Sequence, residues 1–418
     1  MSFKSFVRNN PVYKHYILPL RQKYNAYIES KLDDEAYFIR RHKKIFGYTP
    51  DFKNPQTFNE KIVHRILYDR NPIYTALADK LKARIYIAAK LQDLANKGGG
   101  HSEHNDITNI DSTKSAGSTN HVQHAKIAQR FQALANSPTF LDSHSSSPLF
   151  APIDSLSEIL FETNICPFLP KLYGIYKRVE DIDFSTLPHS FVLKTNHDGG
   201  GVVIVPDKEA FLGDSKVFGE AMTKLTKHLN TNFYTLFREY HYKDIEPRVF
   251  AEELLGENTQ STQTQDLDSK KIEKSDFHKS LSQNLTPNDT QDSMSFKVPD
   301  DYKINQYFEQ TFFIEVDSNR FGSNHTRAMF DENFHKLPFQ YSAANLAITP
   351  YTQIPRNSHA LLVVSKTLAK PLGYVRVDLY SVDNAVYVGE LTFTPAGGTS
   401  RFYPSRYDRI YGDLMRSL

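Results

Sequence analysis

"YVRVDLYSVDNAVYVGELTFTP" (374–395) contains two runs in which apolar and polar residues alternate on either side of Asp383-Asn384. Alternation with a period of two marks strands, so the stretch reads as a hairpin. Arg376 and Asp378 then share one face of the first strand, and Glu390 and Thr392 share one face of the second. A two-residue turn at Asp383-Asn384 sets Asp378 opposite Gly389 and sends Glu390 to the far face. A three-residue loop, Asp383 to Ala385, sets Asp378 opposite Glu390. The three-residue loop is the expectation, because two carboxylates brought together among apolar neighbours need a divalent cation, and Mg²⁺ takes such oxygen ligands and shares them with phosphates. The competing reading is an exposed hairpin with scattered charges.

Upstream, "VLKTNHDGGGVVIVPDK" (192–208) places three glycines in a row in a chain that has only 18. Gly199, Gly200 and Gly201 separate two strand-like runs, and Lys194 ends the first. Backbone N–H groups in such a loop approach a ligand with no Cβ in the way, which suits phosphate oxygens. The loop is no Walker A motif, since Gly-Lys-Ser/Thr is missing, and no dinucleotide fingerprint, since a strand follows it. Alone, it fits a flexible hairpin as well as a phosphate cover. His197 and Asp198 either touch the phosphates or shape the loop.

Further outward, "HSFVLKTN", "GVVIVPD", "EPRVFAEELL" and "QTFFIEVDS" also read as strands, while "DEAYFIRRHKKIFGY" and "NPIYTALADKLKARIYIAAKLQDLA" have helical spacing. The fold class is therefore α+β. Residues about 96–149 and 257–292 are rich in Ser, Thr, Asn, Gln and Asp and poor in branched apolar residues, which marks two disordered or loosely helical insertions. His101, His104, His121, His124 and His144 lie in the first at irregular spacing without cysteine, and read as polar filler in preference to a metal cluster.

At 418 residues the chain can bury a large core. Lys plus Arg (50) balances Asp plus Glu (48), so no overall field points to nucleic acid. Its one cysteine, Cys166, cannot form an internal disulfide and reads as a packed small residue; with charges interrupting the N-terminal apolar residues, the expected setting is cytoplasmic. The first 48 residues carry ten Lys/Arg against four Asp/Glu, read first as a solvated helical face and second as peripheral contact with the inner face of a membrane.

Taken in order, "FNEKI" (58–62), "ADKLKARIYIAAKL" (78–91), "FVLKTNHDGGGVVIVPDK" (191–208), "IEPRVFAEELL" (245–255), "NHTRAMFDENFHKLPF" (324–339) and the terminal hairpin resemble the TupA-like (teichuronopeptide) branch of the ATP-grasp superfamily. The resemblance implies ATP held between two α+β lobes. It divides the chain into a basic helical region 1–70, a first part of the core 71–185, a lid lobe 186–256, the insertion 257–292 and a metal-binding lobe 293–418. Carried over by position, Lys80 and Lys194 would reach the phosphates, with His197, Gly199, Gly200 and Gly201 in the mobile cover. Glu252, Glu253 and Leu255 would form the hinge beside adenine and ribose. Asp378 and Glu390 would bind Mg²⁺, with Thr392 where many relatives have Asn, and Arg376 would stabilise charge on the reacting carboxylate.

The implied reaction is carboxylate–amine ligation through an acyl phosphate during cell-surface polysaccharide assembly, with small or glycan-linked substrates. A phosphotransferase using the same clamp, a glycosyltransferase and a non-catalytic binding protein are the rival readings; no well-placed Asp-x-Asp motif supports the glycosyltransferase. Arg320, His325 and Arg327 suit an anionic acceptor or a surface loop equally. Asn59 and Glu60 fit a helix cap, and the aromatic residues of "RFYPSRYDRIYG" (401–412) fit a core.

Overall fold

The computed structural model describes residues 18–97, 118–258, 296–320, 325–342 and 354–416. The smaller sheet has the order β1-β4-β2-β3, with β1 Leu172–Tyr176, β2 Phe191–Thr195, β3 Val202–Val205 and β4 Val249–Glu252, every pair antiparallel. Helix Ser215–Leu229 covers one face. Asp214 caps its first N–H groups, and Ala221, Leu225 and Leu229 recur at helical spacing against Phe191, Leu193, Val205 and Val249.

The larger sheet has the order β12-β11-β7-β8-β9. Its strands are β7 Asp301–Tyr307, β8 Gln310–Ser318, β9 Thr326–Phe330, β11 Tyr374–Val382 and β12 Ala385–Thr392. Ile304, Ile314, Val316, Val375, Val377 and Leu379 join one core cluster with buried residues of helices Ser358–Ala369 and Lys80–Lys90. Alternation puts Asp301, Lys303 and Asn305, Glu315 and Asp317, and Arg376 and Asp378 on the opposite face. That face is buried too: Asp301, Lys303, Glu315, Asp317 and Asp378 are all under 5% exposed.

Two short ladders complete the strands: β5 Glu257–Asn258 with β6 Phe296–Lys297, and β10 Gln340–Ser342 with β13 Arg401–Tyr403. The first closes the base of the 257–292 insertion, whose remaining residues lie outside the described ones. A third cluster is aromatic. Helix Phe58–Tyr68, opened by a Thr57/Glu60 capping box, packs Phe58 edge to face on Phe313, Tyr374 and Phe402, and helix Arg406–Leu414 sets Tyr411 tilted on Phe313. Asn59 donates its side-chain amide to the Ser400 carbonyl and its backbone N–H to Asp408. Residues of the expected N-terminal region thus share a core with the C-terminal lobe.

The insertion at 96–149, expected to be disordered or loosely helical, is helical in part, and the correction is that it packs on the core. Residues 98–117 lie outside the described ones, but Ser118–Asn136 is a helix, and Phe131, Phe140 and Leu149 are fully buried against helix Lys80–Lys90. Ile127, Phe131 and Leu134 are spaced by four and three, enough for one apolar stripe in a segment otherwise polar. Among the described residues no helix is long and apolar enough to cross a membrane. Phe131→Ala is expected to cost about 3–5 kcal/mol of stability in urea unfolding; a loss below about 1 kcal/mol would show that this helix merely rests on the surface.

Candidate active site

The terminal hairpin departs from the expected loop and keeps the expected register. Val382 pairs with Ala385, so the turn is the two residues Asp383 and Asn384, at φ +50° and +64°. Both positive φ values suit the type I′ turn of two-residue hairpins, and Asp and Asn tolerate that region. The register recovers because Gly389 bulges out: Leu379 faces Val388, and the next pair is Asp378 with Glu390. A Cβ at Gly389 would stand 2.9 Å from the Tyr380 ring, which explains the glycine.

One guanidinium sits among all three expected metal ligands. Arg376 donates from Nε and Nη2 to the two oxygens of Asp378 at 2.6 and 2.7 Å, reaches the Thr392 hydroxyl at 3.1 Å, and lies 3.5 Å from Glu390 Oε1. Lys303, from the neighbouring strand, stands 3.4 Å from Asp378 Oδ2 and also pairs with Asp301. Burial opposes ionisation of Asp378, but Arg376 and Lys303 outweigh it and hold the carboxyl down to about 2. Beyond Lys303, Arg320 binds Asp301 at 2.6 Å, while Arg327 grips Asp317 at 2.6 and 2.9 Å and Glu315 at 3.1 Å. His325 Nε2 lies 3.0 Å from Asp317 Oδ1. The cationic cluster read as suiting an anionic acceptor is thus matched by carboxylates of the adjoining strands. Asp301, Lys303, Glu315 and Asp317 were not singled out from the sequence; the signal was their alternation with apolar residues.

The smaller sheet supplies the opposing wall. Lys194 on β2 forms an ion pair with Glu252 on β4, whose other oxygen is 3.4 Å from Arg84. Arg84, also missed from the sequence, is buried and anchored by the Pro170 carbonyl at 2.6 Å. Glu253 pairs by its backbone N–H with the Lys171 carbonyl at 2.8 Å and accepts the Lys171 N–H at 3.1 Å, and Leu255 follows just past the strand, half-buried. Lys80, first residue of its helix, donates to the Asp198 carbonyl at 2.5 Å and lies 3.8 Å from Glu390. Lys80, Lys194, Phe250, Glu252, Val388 and Gly389 line one cleft between the sheets.

The glycine loop is held at its base. Asn196 donates to the helix-capping Asp79 at 2.9 Å and to the Glu246 carbonyl at 3.0 Å, and the Lys80 N–H meets the Asn196 carbonyl at 3.1 Å. Asp198 bonds His228 and Thr195, and the His197 ring donates to the Thr231 carbonyl at 3.1 Å. In this conformation, therefore, both side chains shape the loop. Gly199 and Gly200 are exposed, Gly200 at φ +102°.

These residues fit the groups the sequence implies. Two carboxylates and a hydroxyl form an all-oxygen donor set, and Glu390, 37% exposed, holds its cations only loosely at 3.5 and 3.8 Å. Ammonium groups from both sides and open glycine N–H groups suit a polyphosphate. Two antiparallel sheets closing a cleft between such groups define an ATP-grasp protein. The chain belongs to the TupA-like ATP-grasp family, whose model matches residues 162–270 and 258–416. No curated protein matches it. Similar solved structures include an L-amino acid ligase from Bacillus licheniformis, at 12% identity over 72% of this chain and 62% of that one, TM-score 0.30. A D-alanine–D-alanine ligase from Bacillus anthracis complexed with ATP matches at 13% identity over 58% of this chain and 61% of that one, TM-score 0.22. Another structure of a D-alanine–D-alanine ligase from Bacillus anthracis matches at 13% identity over 72% and 93%, TM-score 0.29. The chain spans about three fifths of the first two.

Beside the hairpin's exit, Glu239 is buried, accepts the Thr394 hydroxyl at 2.6 Å and is lifted by burial to about 7. Burial likewise lifts Asp79 and Asp408 to about 6. A carboxyl raised in the folded state binds its proton more tightly there, so its contribution is complete below the unfolded pKa and is lost as pH climbs through the raised value. The contribution of Glu239 to stability is expected to decline between pH 4.5 and about 7, and Glu239→Gln to remove that part of the pH dependence. Thermal midpoints across this range check it; an equal slope in the variant would exclude Glu239 as a source.

Proposed function

We propose that the protein is an ATP- and Mg²⁺-dependent carboxylate–amine ligase of cell-surface polysaccharide assembly, acting on small or glycan-linked substrates. The supporting observation is that Glu390 of the terminal hairpin, clustered with Arg376 and through it Asp378, lies 3.8 Å from Lys80, which lines a cleft together with Lys194. In the first step a substrate carboxylate oxygen attacks the γ-phosphorus of ATP, the bond to the β-phosphate oxygen breaks, and ADP leaves. An amine nitrogen then attacks the acyl phosphate carbon, phosphate departs with the electron pair, and the nitrogen sheds its proton. When bound, Mg²⁺ neutralises phosphate charge, and Asp378, Glu390 and Thr392 would hold it. Lys80 and Lys194 bind and orient the triphosphate, and the glycine loop covers it. Arg376 steadies the negative charge of the reacting carboxylate. These roles require positioning and charge neutralisation, with no protein nucleophile. Cys166 is buried and pushed up to about 12, which suits a packed residue.

Lys194→Ala is expected to weaken ATP binding roughly 10- to 100-fold, the loss of one charged hydrogen bond. Asp378 also neutralises Arg376 and Lys303, so Glu390→Gln is the cleaner metal-site variant; it should keep nucleotide binding and lose Mg²⁺-dependent ADP formation. Turnover with a panel of amino acids and uronic-acid sugars, following ADP and free phosphate separately, tests the reaction. Equal release of both, with hydroxylamine trapping a hydroxamate, supports ligation; ADP without phosphate makes the protein a phosphotransferase. Normal turnover in both variants overturns the assigned site.

A further inference from the structure

A second cavity, of about 440 Å³, lies away from the cleft and shares none of its lining residues. It opens between the end of helix Phe58–Tyr68, the start of helix Pro72–Ala78, the β7–β8 turn and the turn that precedes β11. Its size falls within the range of small-molecule sites, about 300–1,000 Å³.

Two local features break ordinary rules there. Phe308 opens the two-residue turn between Tyr307 and Gln310 at φ +53°, a position that favours Gly or Asn, and its ring is 43% exposed. The turn is held in place by the Phe308 N–H donating to the Gly373 carbonyl at 2.9 Å. A bulky residue at such a φ is strained, and its packing here is an edge-to-face contact with the Tyr307 ring at 4.8 Å. Arg65 is 2% exposed, and its Nε has no hydrogen-bond acceptor; the Asp69 Oδ2 stands 3.9 Å away. Its Nη1 is occupied by the Tyr374 carbonyl at 2.6 Å and the Phe393 carbonyl at 3.3 Å, and its guanidinium lies 4.6 Å from the centre of the Tyr74 ring.

The lining therefore combines the rings of Tyr68, Tyr74 and Phe308 with the polar side chains of His64 and Asn71 and with Arg65 and Asp69 side by side, whose charges cancel. Aromatic faces take the C–H face of a sugar ring, and an adjacent donor and acceptor take neighbouring hydroxyls. A net-neutral pocket gives no advantage to a nucleotide or a polyanion. We infer that this cavity is a saccharide site that receives one pyranose ring, stacked at the Phe308 mouth with its hydroxyls on Arg65 and Asp69. The inference rests on the pocket alone and holds whether or not the cleft performs ligation. Tyr374, in the pocket wall, is also the first residue of the strand that carries Arg376, so a glycan seated there lies at one end of the catalytic hairpin.

The full-length protein, without ATP, is mixed with methyl glucopyranoside, galactopyranoside and mannopyranoside at millimolar concentration, and saturation-transfer NMR reads binding. Saturation transfer to the ring protons of at least one glycoside is expected. Phe308→Ala, which removes an exposed side chain, should weaken it roughly tenfold while melting as the wild type does and binding ATP normally; Asp69→Asn, which keeps the acceptor for the Asn71 N–H but removes the carboxylate beside buried Arg65, should weaken it as far with a lowered melting temperature and normal ATP binding. No transfer from the wild type, equal transfer in both variants, or loss of the signal on adding ATP would each overturn the inference.

Discussion

The charged face of the five-stranded sheet is the constraint on which the rest depends. Lys303 is 4% exposed and has three carboxylates, those of Asp301, Asp317 and Asp378, within 4 Å. Ions taken this far from water persist only when paired on every side, and removing one partner typically costs about 3–5 kcal/mol. Replacing such buried ion pairs by well-packed hydrophobic residues is often neutral or stabilising. The row from Arg327 through Asp317, Lys303 and Asp378 to Arg376 alternates in sign, so each side chain is held in one orientation by its neighbours.

The same network ties the lobes. Lys80 reaches both the Asp198 carbonyl of the glycine loop and Glu390 of the terminal hairpin, although these lie far apart in sequence. Asp79 caps the Lys80 helix while accepting from Asn196, so one buried carboxylate sets both the helix start and the base of the loop. The exposed glycines beyond Asn196 have no such tether, which leaves the tip of the loop as the part suited to covering a ligand.

How much of this was legible follows from the chemistry of each strand. The six strands rich in Val, Phe and Ile stood out, as did Lys194, Arg376, Asp378 and Glu390. Strand β7, "DYKINQY", did not, because alternating charge reads as surface unless a second layer is known to cover it. Arg84 was hidden the same way, a cation in an amphipathic helix whose polar side faces a buried carboxylate. The packing of the helix at 118–136 was lost because three apolar residues in a polar segment carry little weight until a groove is there to receive them.

The hairpin turn shows why a right pairing can follow from an incomplete premise. Chemistry required Asp378 beside Glu390, and counting residues from the turn allowed that only with a longer loop. The protein meets the same requirement with a tight Asp-Asn turn and one bulged glycine. A bulge places the extra residue next to Asp378 and Glu390 instead of at the distant tip, and it sharpens the local twist there. A long loop would fix the register only through the flexible end of the hairpin; the bulge fixes it within about one residue of the carboxylate it positions. Rigidity is thus built where Asp378 and Glu390 stand side by side.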